Sequence, residues 1–168
     1  MVILGSLLKL YNGLKNLQRA IVVLVEIFLI FLIFIQVVLR YVLKAPLMGI
    51  EELMLFPTVW LYFIGSANAS LDRTHIVCGV FSLMVKKPIS VKLFNIVKNL
   101  VSLIILLWLL YWAYWYFLYA LRMWKISAML YIPMILGEGI VFVGILLMTI
   151  YTTEDFIHSL GKKIKEEA

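Results

Sequence analysis

Apolar residues gather in long unbroken stretches, and four of these each hold the ~20 residues a helix needs to cross the ~30 Å hydrocarbon layer of a bilayer. They run from about Ala20 to Leu43, Leu53 to Leu71, Leu93 to Ala120 and Pro133 to Thr152. Nothing alternates with the period of barrel strands, and backbone groups in lipid must be satisfied within their own segment. The predicted class is therefore an all-α integral membrane protein, one domain over 1–168 with four transmembrane helices.

The polar positions between these stretches predict two further elements. Before the first span, Leu4, Leu7, Leu8, Tyr11 and Leu14 recur at helical spacing, while Lys9, Asn12, Lys15, Asn16 and Arg19 take other faces. This pattern, over 1–19, is that of an amphipathic helix lying among the lipid headgroups. Between spans two and three, Ile76 to Val85 is apolar but only ten residues long, and Lys86, Lys87 and Pro88 close it. It is too short to cross and is predicted to lie at the surface. After Thr152 the chain turns polar, and 153–168 reads as a solvated tail.

Composition agrees: 65% of residues are hydrophobic and 14% charged, against about 45–50% and about 25% in ordinary globular domains. A chain of ~150 residues buries only about 70% of its surface, so a water-soluble core of this size could not hide so much apolar area. The first span is too long for a signal peptide and lacks a small-x-small cleavage site, so it is expected to remain as an anchor.

The charge pattern sets the predicted orientation. With both termini cytoplasmic, eleven of the fifteen Lys and Arg fall on the cytoplasmic side, leaving Arg40, Lys44, Arg122 and Lys125 on the other. The net charge of +6 is scattered over short inter-span segments, so no continuous basic surface is available for nucleic acid. Cys78 is the single cysteine, which excludes an internal disulfide and a Cys cluster for metal.

Chemistry within the spans is sparse. His75 and His158 lie outside them, where they cannot ligate a haem between facing helices, and no nucleophile elbow is present. No metal, cofactor or catalytic residue is predicted. Ionisable groups in lipid cost about 2.5–3.5 kcal/mol each on insertion scales, so each must face protein or reach the interface. Glu26 and Lys98 lie about two turns into the first and third spans from the same side, at a depth that suits either an ion pair or separate snorkelling. Arg40, Glu51, Glu52 and Glu138 share a depth at the other side and predict a structural charge cluster joining three helix ends, with the carboxylates at helix amino termini. A proton or sodium pathway is the sharper alternative, but no carboxylate occupies the midplane of any span, where coupling sites lie.

Two spans carry packing signals. Gly65 and Ala69 give the second a small-xxx-small face that suits close helix approach, and Pro57 near its start predicts a mild kink. The outer half of the third is crowded with Trp108, Tyr111, Trp112, Tyr114, Trp115, Tyr116, Phe117, Tyr119 and Trp124, an aromatic belt at the membrane interface.

The ordered motifs Arg40-Tyr41, Pro46, Glu51-Glu52-Leu53, Trp60, Gly65-Ser66-Ala67, Arg73-Thr74-His75-Ile76 and Ser127 through Ile132-Pro133 resemble the DctQ-type small membrane subunit of tripartite ATP-independent periplasmic (TRAP) transporters. That family's pattern has a Trp shortly before the acidic pair, where this chain has Met48-Gly49-Ile50. The resemblance singles out Arg40, Glu51, Glu52, Gly65, Arg73, His75 and Pro133 as motif residues. It implies a bacterial inner-membrane scaffold working with a large multi-span subunit, which carries the sodium and substrate sites, and with a periplasmic substrate-binding protein. Its implied substrates are organic acids such as C4-dicarboxylates or sialic acid. Arg40, Lys44, Arg122 and Lys125, on the outer face, are candidates for docking these partners, and membrane lipids surround the rest. The runner-up reading is a membrane anchor of a respiratory oxidoreductase, which needs axial histidines that the spans lack.

Overall fold

The computed structural model describes residues 2–45, 47–72 and 88–161. Four helices account for most of them: α1 (Val2–Val37), α2 (Met48–Leu71), α3 (Pro88–Met123) and α4 (Ile135–Gly161). A π-helical segment, Val38–Val42, carries α1 one turn further. Strand-like pairing among the described residues is confined to one bridge between Ile126 and Pro133.

Local chemistry explains the boundaries. Pro88 opens α3, where a missing N–H costs nothing and the fixed φ suits the first turn. Trp124 closes it with a left-handed φ of 41°, its N–H bonded to Ala120 O at 3.1 Å, as a residue just past a helix end commonly does. Pro57 is enclosed in α2, which continues through it.

Three helices are long and apolar enough to cross a membrane, over Gly13–Val42, Leu93–Met123 and Ile135–Ile157. At ~1.5 Å per residue, the 24 residues of α2 also have the length, but Glu51, Glu52, Ser66, Asn68 and Ser70 make it less apolar. α1 passes without a break through Arg19, where the sequence separates a surface helix from a span. The amphipathic pattern before Leu14 falls on side chains outside the described ones, as do Ile76 to Val85, Arg73, His75, the His158 side chain and the tail beyond Gly161.

The bundle runs up, down, up, down. α2 packs against α1 and α4, and α4 packs against α3, giving the lateral order α1, α2, α4, α3. The tightest seam is between α2 and α4. A Cβ added at Gly144 would lie 2.6 Å from Phe63 Cβ and 3.1 Å from its carbonyl oxygen, so only glycine lets the two backbones come this close. Buried Phe56, Ile64 and Ala67 of α2 and Ile140 and Ile145 of α4 line the rest of this seam. On the far side of α4, Phe142 stacks on Phe117 of α3 with ring centroids 5.2 Å apart.

Candidate functional site

The end of the bundle where α1 finishes and α2 and α4 begin concentrates the predicted site residues, and a hairpin organises it. Between α3 and α4, Ser127 N bonds Ile132 O and Met134 N bonds Lys125 O, both at 2.9 Å. The hairpin tip at 128–130 leaves three backbone N–H groups pointing one way, and Glu52 accepts all three. Its carboxylate oxygens lie 2.9 Å from Ala128 N, 3.0 Å from Met129 N and 2.9 Å from Leu130 N. A run of N–H groups on a turn forms a concave anion receptor, and here a side chain from another helix fills it.

The electrostatics follow from that geometry. The Ser127 hydroxyl beside it, and then the three N–H donors, hold the Glu52 carboxyl below its ordinary value against an opposing desolvation. Ser127 Oγ is buried against the carboxylate without meeting strict hydrogen-bond geometry. Gly49, one turn before Glu52, receives the Leu130 side chain, whose nearest atom would be 3.3 Å from an added Cβ. This contact falls in the stretch where the motif pattern carries Trp.

Two further bonds tie the same end together. Gln36 Nε2 donates to Glu51 Oε1 at 3.1 Å, joining α1 to α2. Trp60 Nε1 donates to Leu136 O at 2.8 Å, joining α2 to the first turn of α4. Pro133 lies at the bridge with Ile126, and its carbonyl accepts from Leu136 N at 3.2 Å, which starts α4.

The expected four-residue charge cluster does not assemble as a set of ion pairs. Arg40 projects from the π-helical segment with no ion pair among the described residues. Glu51 and Glu52 take amide donors instead. Glu138 lies beside Tyr116 of α3, with its Oε2 buried and unpartnered among the described residues. The physical reason is that three converging turn amides fix the Glu52 carboxylate, while the exposed Arg40 guanidinium keeps its solvation without a carboxylate.

Glu26 and Lys98 are not brought together either. They belong to α1 and α3, the two flanks that α2 and α4 separate; elsewhere in the bundle Arg19 pairs with Asp72. Of the docking candidates, Lys44 and Arg122 are exposed, while Lys125 Nζ sits over the Tyr119 ring, 4.9 Å from its centroid. Gly65 faces open space, since a Cβ there would meet nothing within 4 Å. Sequence reasoning missed Gln36, Arg19, Asp72 and Gly144. Gln36 and Gly144 stand out in apolar runs, and Arg19 and Asp72 flank them, but nothing in the sequence named their partners.

Outside the seam, the molecule is mostly uncovered apolar surface. None of the best apolar stretch of α3 is buried within the chain, 6% of that of α1 is, and 33% of that of α4. Among the described residues no group of His, Cys, Asp and Glu has a metal-binding arrangement. Such a molecule belongs to the class of multi-pass helical membrane proteins whose polar contacts bind helix to helix.

The sequence matches the family model for the DctQ component of tripartite ATP-independent periplasmic transporters over residues 29–161. The chain belongs to this family, the small membrane subunits of TRAP transporters. No curated protein matches it. The family is one of transporter components, and the oxidoreductase-anchor reading gains no support from it.

Proposed function

We propose that the chain is the scaffold subunit of a sodium-coupled TRAP transporter for organic acids, such as C4-dicarboxylates or sialic acid. It braces the large membrane subunit and helps dock the periplasmic binding protein. All four helices cross the bacterial inner membrane, α2 included, with both termini cytoplasmic and the Glu52 hairpin on the periplasmic side. The supporting charge count is eleven Lys and Arg inside against four outside.

The observation that carries the scaffold reading is the uncovered apolar flank of α3, with Trp108 68%, Tyr111 59% and Trp112 57% exposed. In lipid, helix association rests on packing and shape, so a broad face of rigid aromatics beside a tightly seamed pair suits a stationary wall against which another subunit is held. The Gly65 face, open within the chain, offers a second place for close approach. Ion and substrate sites then lie in the large subunit. The test is uptake in liposomes: the chain together with its large subunit and binding protein moves an organic acid with sodium, and the lone chain moves none. Transport by the lone chain defeats the proposal.

A further inference from the structure

α1, α2 and α4 leave a groove of about 470 Å³ between them, lined by apolar side chains such as Leu17, Ile64, Leu136 and Val143. From Leu136 to Tyr151 it follows α4 for about 22 Å at ~1.5 Å per residue. Three polar side chains reach it, and two are satisfied. Trp60 donates to Leu136 O, and Tyr151 donates its hydroxyl proton to Gln18 Oε1 at 2.8 Å. Gln18 is 7% exposed and lines the groove, yet its Nε2 has no partner among the described residues. A buried amide without an acceptor costs about 1–3 kcal/mol, so a group that supplies one binds there with advantage.

We propose that this groove holds one acyl chain of a zwitterionic glycerophospholipid, whose ester carbonyl accepts a hydrogen bond from Gln18 Nε2. Three observations select this occupant. The first is size: the groove is a narrow apolar channel of about 470 Å³, open along one side, which a single hydrocarbon chain fills. The second is depth. Gln18 is followed directly by Arg19, whose exposed ion pair with Asp72 marks a level at which charged side chains leave the hydrocarbon, so the Gln18 amide lies close to the interface where ester carbonyls sit. The third is charge. The mouth of the groove carries Lys15 one turn before Gln18, the Arg19–Asp72 ion pair beside it, and Glu154 within electrostatic reach of Tyr151. Both signs are present among the described residues there, which complements a headgroup bearing phosphate and ammonium rather than a net anion.

Native mass spectrometry of the delipidated full-length chain, titrated with dipalmitoyl phosphatidylethanolamine, tests this. One lipid binds the wild type, Gln18→Met weakens binding about tenfold, the equivalent of one hydrogen bond, and Val143→Phe, which fills the groove, abolishes it. Thermal melting identifies any variant that fails to fold, in which case the other decides. Equal binding by the wild type and both folded variants overturns the proposal, as does tighter binding of dipalmitoyl phosphatidylglycerol. A benzophenone side chain at position 143, activated in native membranes, yields a phospholipid adduct; a protein adduct instead assigns the groove to a partner helix and overturns it.

Discussion

The inner helices α2 and α4 and the outer helices α1 and α3 obey opposite relations between composition and burial. The Gly13–Val42 stretch of α1 is the most apolar of the three recognisable spans and is only 6% buried, while α3 has no buried residue in its best window. α2 is the one helix without a stretch recognisable as a span by composition, yet it contacts two neighbours and buries Phe56, Ile64 and Ala67. In water such a ranking would be inverted. In lipid the exterior is the apolar phase, so polar side chains such as Glu52, Asn68 and Ser70 gather on the helix that has protein on both sides. Hydropathy here reports contact with lipid, and the close backbone approach at Gly144 reports contact with protein.

The strongest way to break this comparison is to enlarge Gly144. Gly144→Leu places atoms where Phe63 Cβ already stands, 2.6 Å from the new Cβ, so the seam must open along its length. Overpacking commonly costs about 1–3 kcal/mol, and here the obstacle includes backbone. Fluorescence-detected gel filtration should show loss of the monodisperse chain. Gly65→Leu, on the same pair of helices but facing open space, should leave it monodisperse and reduce recovery of the large subunit in a pull-down. Equal loss in both variants would erase the distinction between seam and open face.

The outer flank gives the next effect. Trp108→Ala and Trp112→Ala together should shift the melting temperature of the isolated chain by less than the Gly144 change, since both rings are more than half exposed. Recovery of the large subunit should fall several-fold, because Trp anchors dominate interfaces out of proportion to their number. A large loss of stability in the lone chain would place these rings inside its own fold.

At the hairpin end, Glu52→Gln keeps an acceptor but removes the charge, and Glu52→Ala removes both. Amide exchange at Ala128, Met129 and Leu130 should speed up in that order of severity, more than tenfold for Ala. The pH dependence has a definite sign. The folded carboxyl lies below its ordinary value of 4.5, so the latch is fully formed above that value and is lost as pH falls through the lower, folded one. NMR shifts of the three amides should therefore titrate with a midpoint below 4.5.

These contrasts mark how far the sequence could be read. Runs of twenty or more apolar residues have one physical meaning in a bilayer, so the helical class was legible, as was the acidic pair as a structural feature. Which glycine makes the close contact was not. Gly65 carries the small-xxx-small pattern and Gly144 makes the contact, because helix rotation is set by the neighbours and a spacing rule leaves it free. Glu52 was read as one of four charges joining helix ends, while its actual donors are backbone amides whose direction depends on a hairpin closed by Ile126 and Pro133. The Glu26 and Lys98 depths were legible, but the lateral order of helices that separates them was not.

The smallest expected effect is at the opposite end, where Arg19 of α1 meets Asp72 just past α2. Their side chains are 53% and 40% exposed, so water and salt screen the pair, and exposed ion pairs contribute about 0–1 kcal/mol. A double-mutant cycle with Arg19→Ala and Asp72→Ala, read by thermal melting, should give a coupling below about 1 kcal/mol that fades further in high salt. The contacts that fasten α1 at this end include this screened pair and the Gln18–Tyr151 bond. A coupling several times larger would mean that the pair is shielded from water, and that the outer helix α1 is fastened to the seam as firmly as α4.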